Sequence, residues 1–282
     1  MGYPCSVPVR LKQQDPIKIK GTCRRKEHKA VRRFFLMGML LASVRAQDAK
    51  LEHARAVNLE RAAELPSFVM DEKATRYKSR HTDPPKWEVF DTIESEIAVR
   101  GQGFTRDNVR RNGNPWKKPN FSDFNWGIPF AYEIKPLFDP KCPTMIEFEG
   151  RENAEGKQLL AYRYHSPPKG CFQNFLVTRG FFSSKTDNPA RTGRILIDDP
   201  GGNVIRYEEE AGEYAKGFGL DPWKQSTSWD YVTIGDTSHL LPVAEEIYGG
   251  FTFGDLWYVV VDYKNHRHFE ASTNITFRQD EK

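Results

Sequence analysis

His266 and His268 stand two residues apart on a predicted strand, so both imidazoles reach one face together with Asp262 and Lys264. Imidazole and carboxylate are zinc-type ligands, but no third ligand lies close in sequence and Lys264 repels a cation. A hydrogen-bonded or solvated pair is the expectation, with His266 and His268 kept as weak metal candidates. Ser183, Ser184, Ser226 and Ser228 lie in no G-x-S-x-G elbow. No glycine-rich phosphate loop precedes a helix. The acidic run Glu208, Glu209 and Glu210 follows a predicted strand and reads as a solvated edge. The sequence therefore predicts neither a catalytic residue nor a cofactor.

Cysteine and aromatic residues carry more. From residue 47 onward the chain holds two cysteines, Cys142 and Cys171, an even number suited to an oxidising compartment. A bridge would close a loop of about 30 residues and contribute roughly 3–4 kcal/mol through chain entropy. Two separate buried thiols are the alternative. Trp116, Phe121, Phe124, Trp126 and Phe130 crowd a stretch rich in Pro, Asn and Asp, where large apolar side chains need a surface to cover. They either cap the open end of a sheet or form the wall of an apolar ligand site. Trp257, Val259 and Val261, with Leu256, Tyr258 and Val260 alternating between them, offer apolar side chains on both faces of one strand, as a sheet covered on both sides requires.

The elements that must position these residues are mostly strands. A helix runs from about Asp48, its cap, to about Leu65, and Pro66 stops it. Asp71 to Pro85 is charged, ends in Asp83-Pro84-Pro85, and reads as a linker or loop. From Trp87 the period becomes two, with Ile93, Ser95, Ile97 and Val99 on one face. Asn112-Gly113-Asn114-Pro115 is a turn, and Trp116 to Pro140 an irregular loop with room for one helical turn. Strands resume at Met145–Glu149 and Gln158–His165 around a turn at Asn153–Gly156. Arg194–Asp198 and Asn203–Glu209 flank Asp199-Pro200-Gly201-Gly202, a turn with both fixed-φ and permissive residues. Further strands follow at Ser228–Ile234, His239–Ile247, Leu256–Tyr263 and, with a kink, Arg267–Phe277. The fold class is α+β, mainly β: a strongly curved antiparallel sheet, or half-open barrel, with few helices and a covered concave side. The predicted domains are a removable segment 1–46, a helix and linker 47–85, and a sheet domain 86–282.

The first 46 residues hold 11 Lys/Arg and 2 Asp/Glu. Removing them from totals of 42 and 38 leaves 31 Lys/Arg against 36 Asp/Glu, so the formal charge of +4 becomes −5. Nucleic-acid binding needs a cationic surplus that the remainder lacks. The basic run Arg24–Arg33 leads into the apolar Phe34–Val44, and Val44-Arg45-Ala46 supplies a small-x-small cleavage site: the three parts of an export signal. An apolar helix of that length spans about 16 Å, too short for a permanent anchor, so no integral membrane span is expected after processing. Arg32-Arg33-Phe34-Phe35-Leu36 approximates a twin-arginine signal without its usual lysine, which leaves the export route open.

The C-terminal half carries a resemblance. Gly193-Arg194-Ile195-Leu196-Ile197-Asp198 leads into Gly202-Asn203-Val204-Ile205-Arg206. Trp229-Asp230-Tyr231-Val232, Leu240-Leu241-Pro242-Val243 and Tyr263–Phe269 follow, ahead of Ile275-Thr276-Phe277. This series resembles uncharacterised exported bacterial proteins related to the outer-membrane lipoprotein-sorting (LolA/LolB-like) superfamily. The resemblance spans about residues 145–277. It implies a half-open antiparallel barrel with helices plugging the concave side, and a hydrophobic groove that accepts acyl chains. Three function classes follow: a non-catalytic envelope protein binding an apolar ligand or lipoprotein acyl chain, an interaction module with a self-filled groove, and a hydrolase with a dispersed site. The expected location is the periplasm or cell envelope of a bacterium.

Overall fold

The computed structural model describes residues 49–269 apart from 65, 81, 83, 102, 120–123, 125, 128–130, 155, 174, 180–182, 213, 215–219, 221–222 and 252–253. For residues 131–133, 176–179 and 183–185 only the backbone is described. The leader 1–46, Phe121 and Phe130 lie outside the described residues.

Helix α1 covers residues 49–63 and is followed by β1 (Phe68–Ser79), β2 (Glu88–Arg100), β3 (Gly103–Arg111) and the two-residue β4 (Asn114–Pro115). Helix α2 (Ala131–Phe138) then precedes β5 (Met145–Ala154), β6 (Lys157–Ser166), β7 (Phe175–Arg179), β8 (Ser183–Asp187), β9 (Arg191–Asp198) and β10 (Val204–Ala211). The chain continues through β11 (Trp223–Ile234), β12 (Thr237–Gly250) and β13 (Leu256–His268). Eleven strands form one antiparallel sheet in the order β4-β3-β2-β1-β13-β12-β11-β10-β9-β6-β5, and β7 pairs with β8 apart from it. The two outer strands, β4 and β5, do not meet, so the curved sheet stays open, as the mainly-β, half-open reading expects.

One face of the sheet, here the inner face, holds two hydrophobic clusters. The first is built on β1, β2, β12 and β13 around Ile93, Ile97, Val259 and Val261, with Trp126 laid against it. The second is built on β6, β9, β10 and β11, and takes Ala54 from α1 and Ile134, Leu137 and Phe138 from α2. The predicted alternation in β2 is realised, since Ile93, Ile97 and Val99 are fully buried. Cys142, just after α2, is bonded to Cys171 in the β6–β7 connection, with a Cα–Cα distance of 5.6 Å.

Three expectations are corrected. Asp71–Pro85 is not a linker: residues up to Ser79 belong to β1, which sits between β13 and β2 in the middle of the sheet. Its inward positions are Phe68, Met70, Glu72, Ala74 and Arg76, and the two charges among them hide the period of two. The stretch Trp116–Pro140 contains a full helix, α2, and Gly103–Arg111 forms β3, which the turn-rich sequence around it had masked. The acidic run is not a solvated edge, because β10 lies inside the sheet and Glu209 is buried on its inner face. The strand expected at Leu256–Tyr263 runs on without a break to His268 as β13 and takes in only Arg267 and His268 of the separate strand expected at Arg267–Phe277; residues beyond 269 lie outside those described.

Candidate functional site

The inner face carries a row of buried polar side chains that crosses the sheet from β2 to β6. Ser95 lies opposite Glu72, and Glu72 opposite Tyr263. Thr227 lies opposite Glu245 and also opposite Tyr207; Gln225 is opposite Glu209, Glu209 opposite Gly193, and Gly193 opposite Tyr164. Side chains on paired residues share a face, so this register alone stacks the polar groups in a line.

Each group in the row is held by specific partners. Glu72 accepts from Ser95 Oγ at 2.6 Å, from Trp126 Nε1 at 2.7 Å, and from Arg106 Nε and Nη2, each at 3.0 Å. That bidentate pair is almost dry, with side-chain exposures of 6% and 0%, which makes it a strong clasp between β1 and β3. Glu245 receives Gln225 Nε2 at 2.6 Å, and the Tyr263 hydroxyl lies 3.0 Å from its other oxygen. Burial, the largest influence, pushes the Glu245 carboxyl up to about 8; the bond with Tyr263 opposes the rise and the nearby Glu72 charge reinforces it. Glu209 takes Arg191, Tyr207 and Tyr164 as donors. Gly193 makes this possible: a Cβ there would sit 2.6 Å from the Tyr164 ring, which stacks on Tyr207 at 5.8 Å. Toward the β3 side, Asp91 accepts from Arg76 at 2.5 and 2.6 Å and from Arg111 at 2.7 Å. Burial raises the Asp91 carboxyl, but those two guanidinium groups outweigh it and hold the group below the usual carboxylate range.

The sequence-predicted aromatic residues gather in part. Trp116 and Phe124 meet at 6.0 Å, Phe124 and Trp126 at 5.3 Å, and Trp126 is buried against the first cluster. Val259 and Val261 are fully buried in that same cluster, with Trp257 packed at its border. These residues pack together in and around the first cluster on the inner face. His266 and His268 both border one pocket in different settings: His266 Nε2 is 3.0 Å from the Pro242 carbonyl and its ring lies 6.0 Å from Phe68, whereas His268 is exposed. Burial lowers the His266 pKa despite that backbone partner. Among the described residues, no three His, Cys, Asp or Glu side chains converge as metal ligands.

Helix α1 closes the second cluster through polar hooks. Asn58 is buried; its Nδ2 donates to the Gly202 carbonyl at 2.8 Å and its Oδ1 accepts from the Val204 amide at 3.1 Å. Lys50 Nζ reaches Asp199 Oδ2 at 2.5 Å. All three anchor points lie in or beside the β9–β10 turn. Gly202 has φ +79° and faces the His53 ring, so the turn needs glycine both for its conformation and for the helix to approach. By contrast the apolar hold of α1 is slight: Ala54 is its one fully buried apolar side chain, with Leu51 and Leu59 partly buried.

A separate groove of about 750 Å³ runs along the opposite face, bordered by Arg194, Glu208, Lys224, Glu246 and Tyr258. Its charges are engaged with one another, as in Arg206 with Glu208 at 2.8 Å and Lys224 with Glu210 at 3.0 Å. Sequence reasoning had no means of finding the polar row, since its partners are far apart in the chain: 34 residues for Glu72 and Arg106, and 18 for Arg191 and Glu209.

No protein family matches the sequence, and no curated protein matches it either. Among solved structures, a LolA superfamily protein from Nitrosomonas europaea is similar, with 10% sequence identity and a TM-score of 0.32, over 80% of this chain and 94% of that one.

Proposed function

We propose that this protein is a non-catalytic binding protein of the bacterial envelope, which takes an apolar chain on its inner face when α1 moves aside. The observation that supports this reading is the mismatch between α1 and the surface it covers. The cluster it closes holds Trp229, Val204 and Ile197, all buried, while α1 adds Ala54, the partly buried Leu51 and Leu59, and Arg61 over the Trp229 ring, and fixes itself by polar hooks to one turn. A cover of that kind releases as a unit, and an acyl chain in its place would gain about 0.8 kcal/mol per buried methylene. Among the described residues no helix is long and apolar enough to cross a membrane. Export rests on the leader, for which we propose cleavage after Ala46. Recovery of the protein from an envelope fraction, followed by N-terminal sequencing and native mass spectrometry, tests both parts. The expected material starts at Gln47 and carries a lipid mass; an intact leader on ligand-free cytoplasmic protein contradicts the proposal.

One observation favours a second reading, an interaction module with a permanently filled inner face. Glu72, Glu209 and Arg191 are buried and ion-paired there, and ionic groups held in this way resist displacement by an acyl chain. The two readings separate on whether α1 alone opens, since its hooks lie outside the polar row.

A further inference from the structure

The corner of the sheet where β1 ends and β2 begins departs from the rest of the molecule in both charge and exposure. Val89 is 63% exposed and Phe90 43%, at a register shift between β1 and β2. Phe90 is ringed by cations: Lys78 Nζ stands 3.7 Å from its ring centroid, Arg76 5.3 Å and Arg111 5.4 Å. Arg111 also lies 5.2 Å over Trp116, which Lys117 and Lys118 follow directly. Lys78, Arg80, Lys86, Arg110, Lys117 and Lys118 are all exposed here. The acids nearby among the described residues include Glu88, Asp255, Glu94, which already meets Lys73, Asp91, which Arg76 and Arg111 already hold, and Glu246, which accepts from the Tyr258 hydroxyl at 2.8 Å. This basic surplus stands out because the chain from residue 47 onward is net acidic. Half-exposed aromatics adjoin it, with Trp87 5.9 Å from Tyr248 and 5.7 Å from Tyr258.

We infer that this cationic and aromatic corner docks the protein onto an anionic phospholipid surface. Exposed lysines meet lipid phosphates, while Phe90, Val89 and Trp87 enter the apolar boundary beneath them. Tryptophan and tyrosine favour that boundary because each has an apolar body and a polar tip. The same charges would attract nucleic acid, but Val89 has no ring to stack on a base and gains from burial in lipid. The inference concerns the surface at β1–β3 and does not rest on a ligand at the inner face.

Cosedimentation of the processed protein with vesicles of phosphatidylcholine, or of phosphatidylcholine mixed with phosphatidylglycerol, tests it. The expected result is binding to the mixed vesicles that weakens with added salt, and little binding to the neutral ones. Lys117→Glu with Lys118→Glu should weaken binding at least about ten-fold, because each basic residue at an anionic surface counts for roughly five-fold. These side chains are exposed, so circular dichroism of the variant should match that of the parent. Phe90→Ser should weaken binding while leaving its salt dependence unchanged. Equal binding to both vesicle types, binding unchanged in the double variant, or binding to duplex DNA but to neither vesicle would overturn the inference.

Discussion

Gln225 and Glu245 sit diagonally across β11 and β12 on the inner face, and the Gln225 amide donates to the Glu245 carboxyl at 2.6 Å. Both are buried, and the carboxyl is held as the neutral acid around pH 7 by the burial that raises its pKa to about 8. In the unfolded chain the same group titrates near 4.5. Between those values the folded state keeps a proton that the unfolded state has released, so this residue makes stability fall as pH rises through that window. Glu245→Gln copies the neutral form. Denaturation midpoints should match the parent at about pH 4–5 and exceed it increasingly toward about pH 8. A difference independent of pH would contradict the assignment.

Arg106 clasps Glu72 from β3 and spreads its guanidinium near Phe124 and Trp126, at 4.5 and 5.5 Å. Arg106→Ala leaves a buried carboxylate without its partner and should cost about 3–5 kcal/mol in urea denaturation. Glu72→Leu combined with Arg106→Met should cost markedly less than the single change, because no charge is then stranded. Trp126 fluorescence should report the loosened segment in the single variant. Additive losses in the double variant would show that the pair is not coupled.

The Cys142–Cys171 bond ties the segment after α2 to the β6–β7 connection, at a sequence separation of 29. Reduction, or Cys142→Ala with Cys171→Ala, should lower stability by roughly 3 kcal/mol through loop entropy. Non-reducing peptide mapping should recover the bridged pair. Free thiols at both positions in protein isolated from an oxidising compartment would contradict the link.

Much of this architecture is legible in local chemistry, and its limits have a physical origin. The hairpins around Asn153–Gly156 and Asp199–Gly202 follow from turn residues next to alternating strands, and the bond between Cys142 and Cys171 from an even count. The helix predicted from Asp48 to Leu65 is helical over the described residues 49–63. Strand β1 is hidden because Glu72 and Arg76 face inward, where a periodicity argument expects apolar groups. What lets them be buried is Arg106 and Asp91, which folding supplies from other strands. Glu209 is missed for the same reason: between Glu208 and Glu210 it reads as solvated until Arg191 arrives from β9. Trp126 is apolar enough for the sequence to predict a surface beneath it, but no local pattern predicts that its indole nitrogen holds Glu72.

The central claim is that α1 is a removable cover over an apolar surface, and Asn58 is its principal hook. Asn58→Ala deletes two buried hydrogen bonds to the β9–β10 turn, worth together about 1–3 kcal/mol. If binding requires the helix to leave, a larger open fraction raises apparent affinity in proportion. The decisive measurement is titration of a fluorescent fatty acid into the parent protein and the Asn58→Ala variant, with Lys50→Ala as a milder change at the same contact. The account predicts saturable binding in the parent, tightened about 5- to 100-fold in Asn58→Ala despite its lower stability, and a smaller gain in Lys50→Ala. No saturable binding in any of the three, or binding that weakens in step with stability, would contradict it.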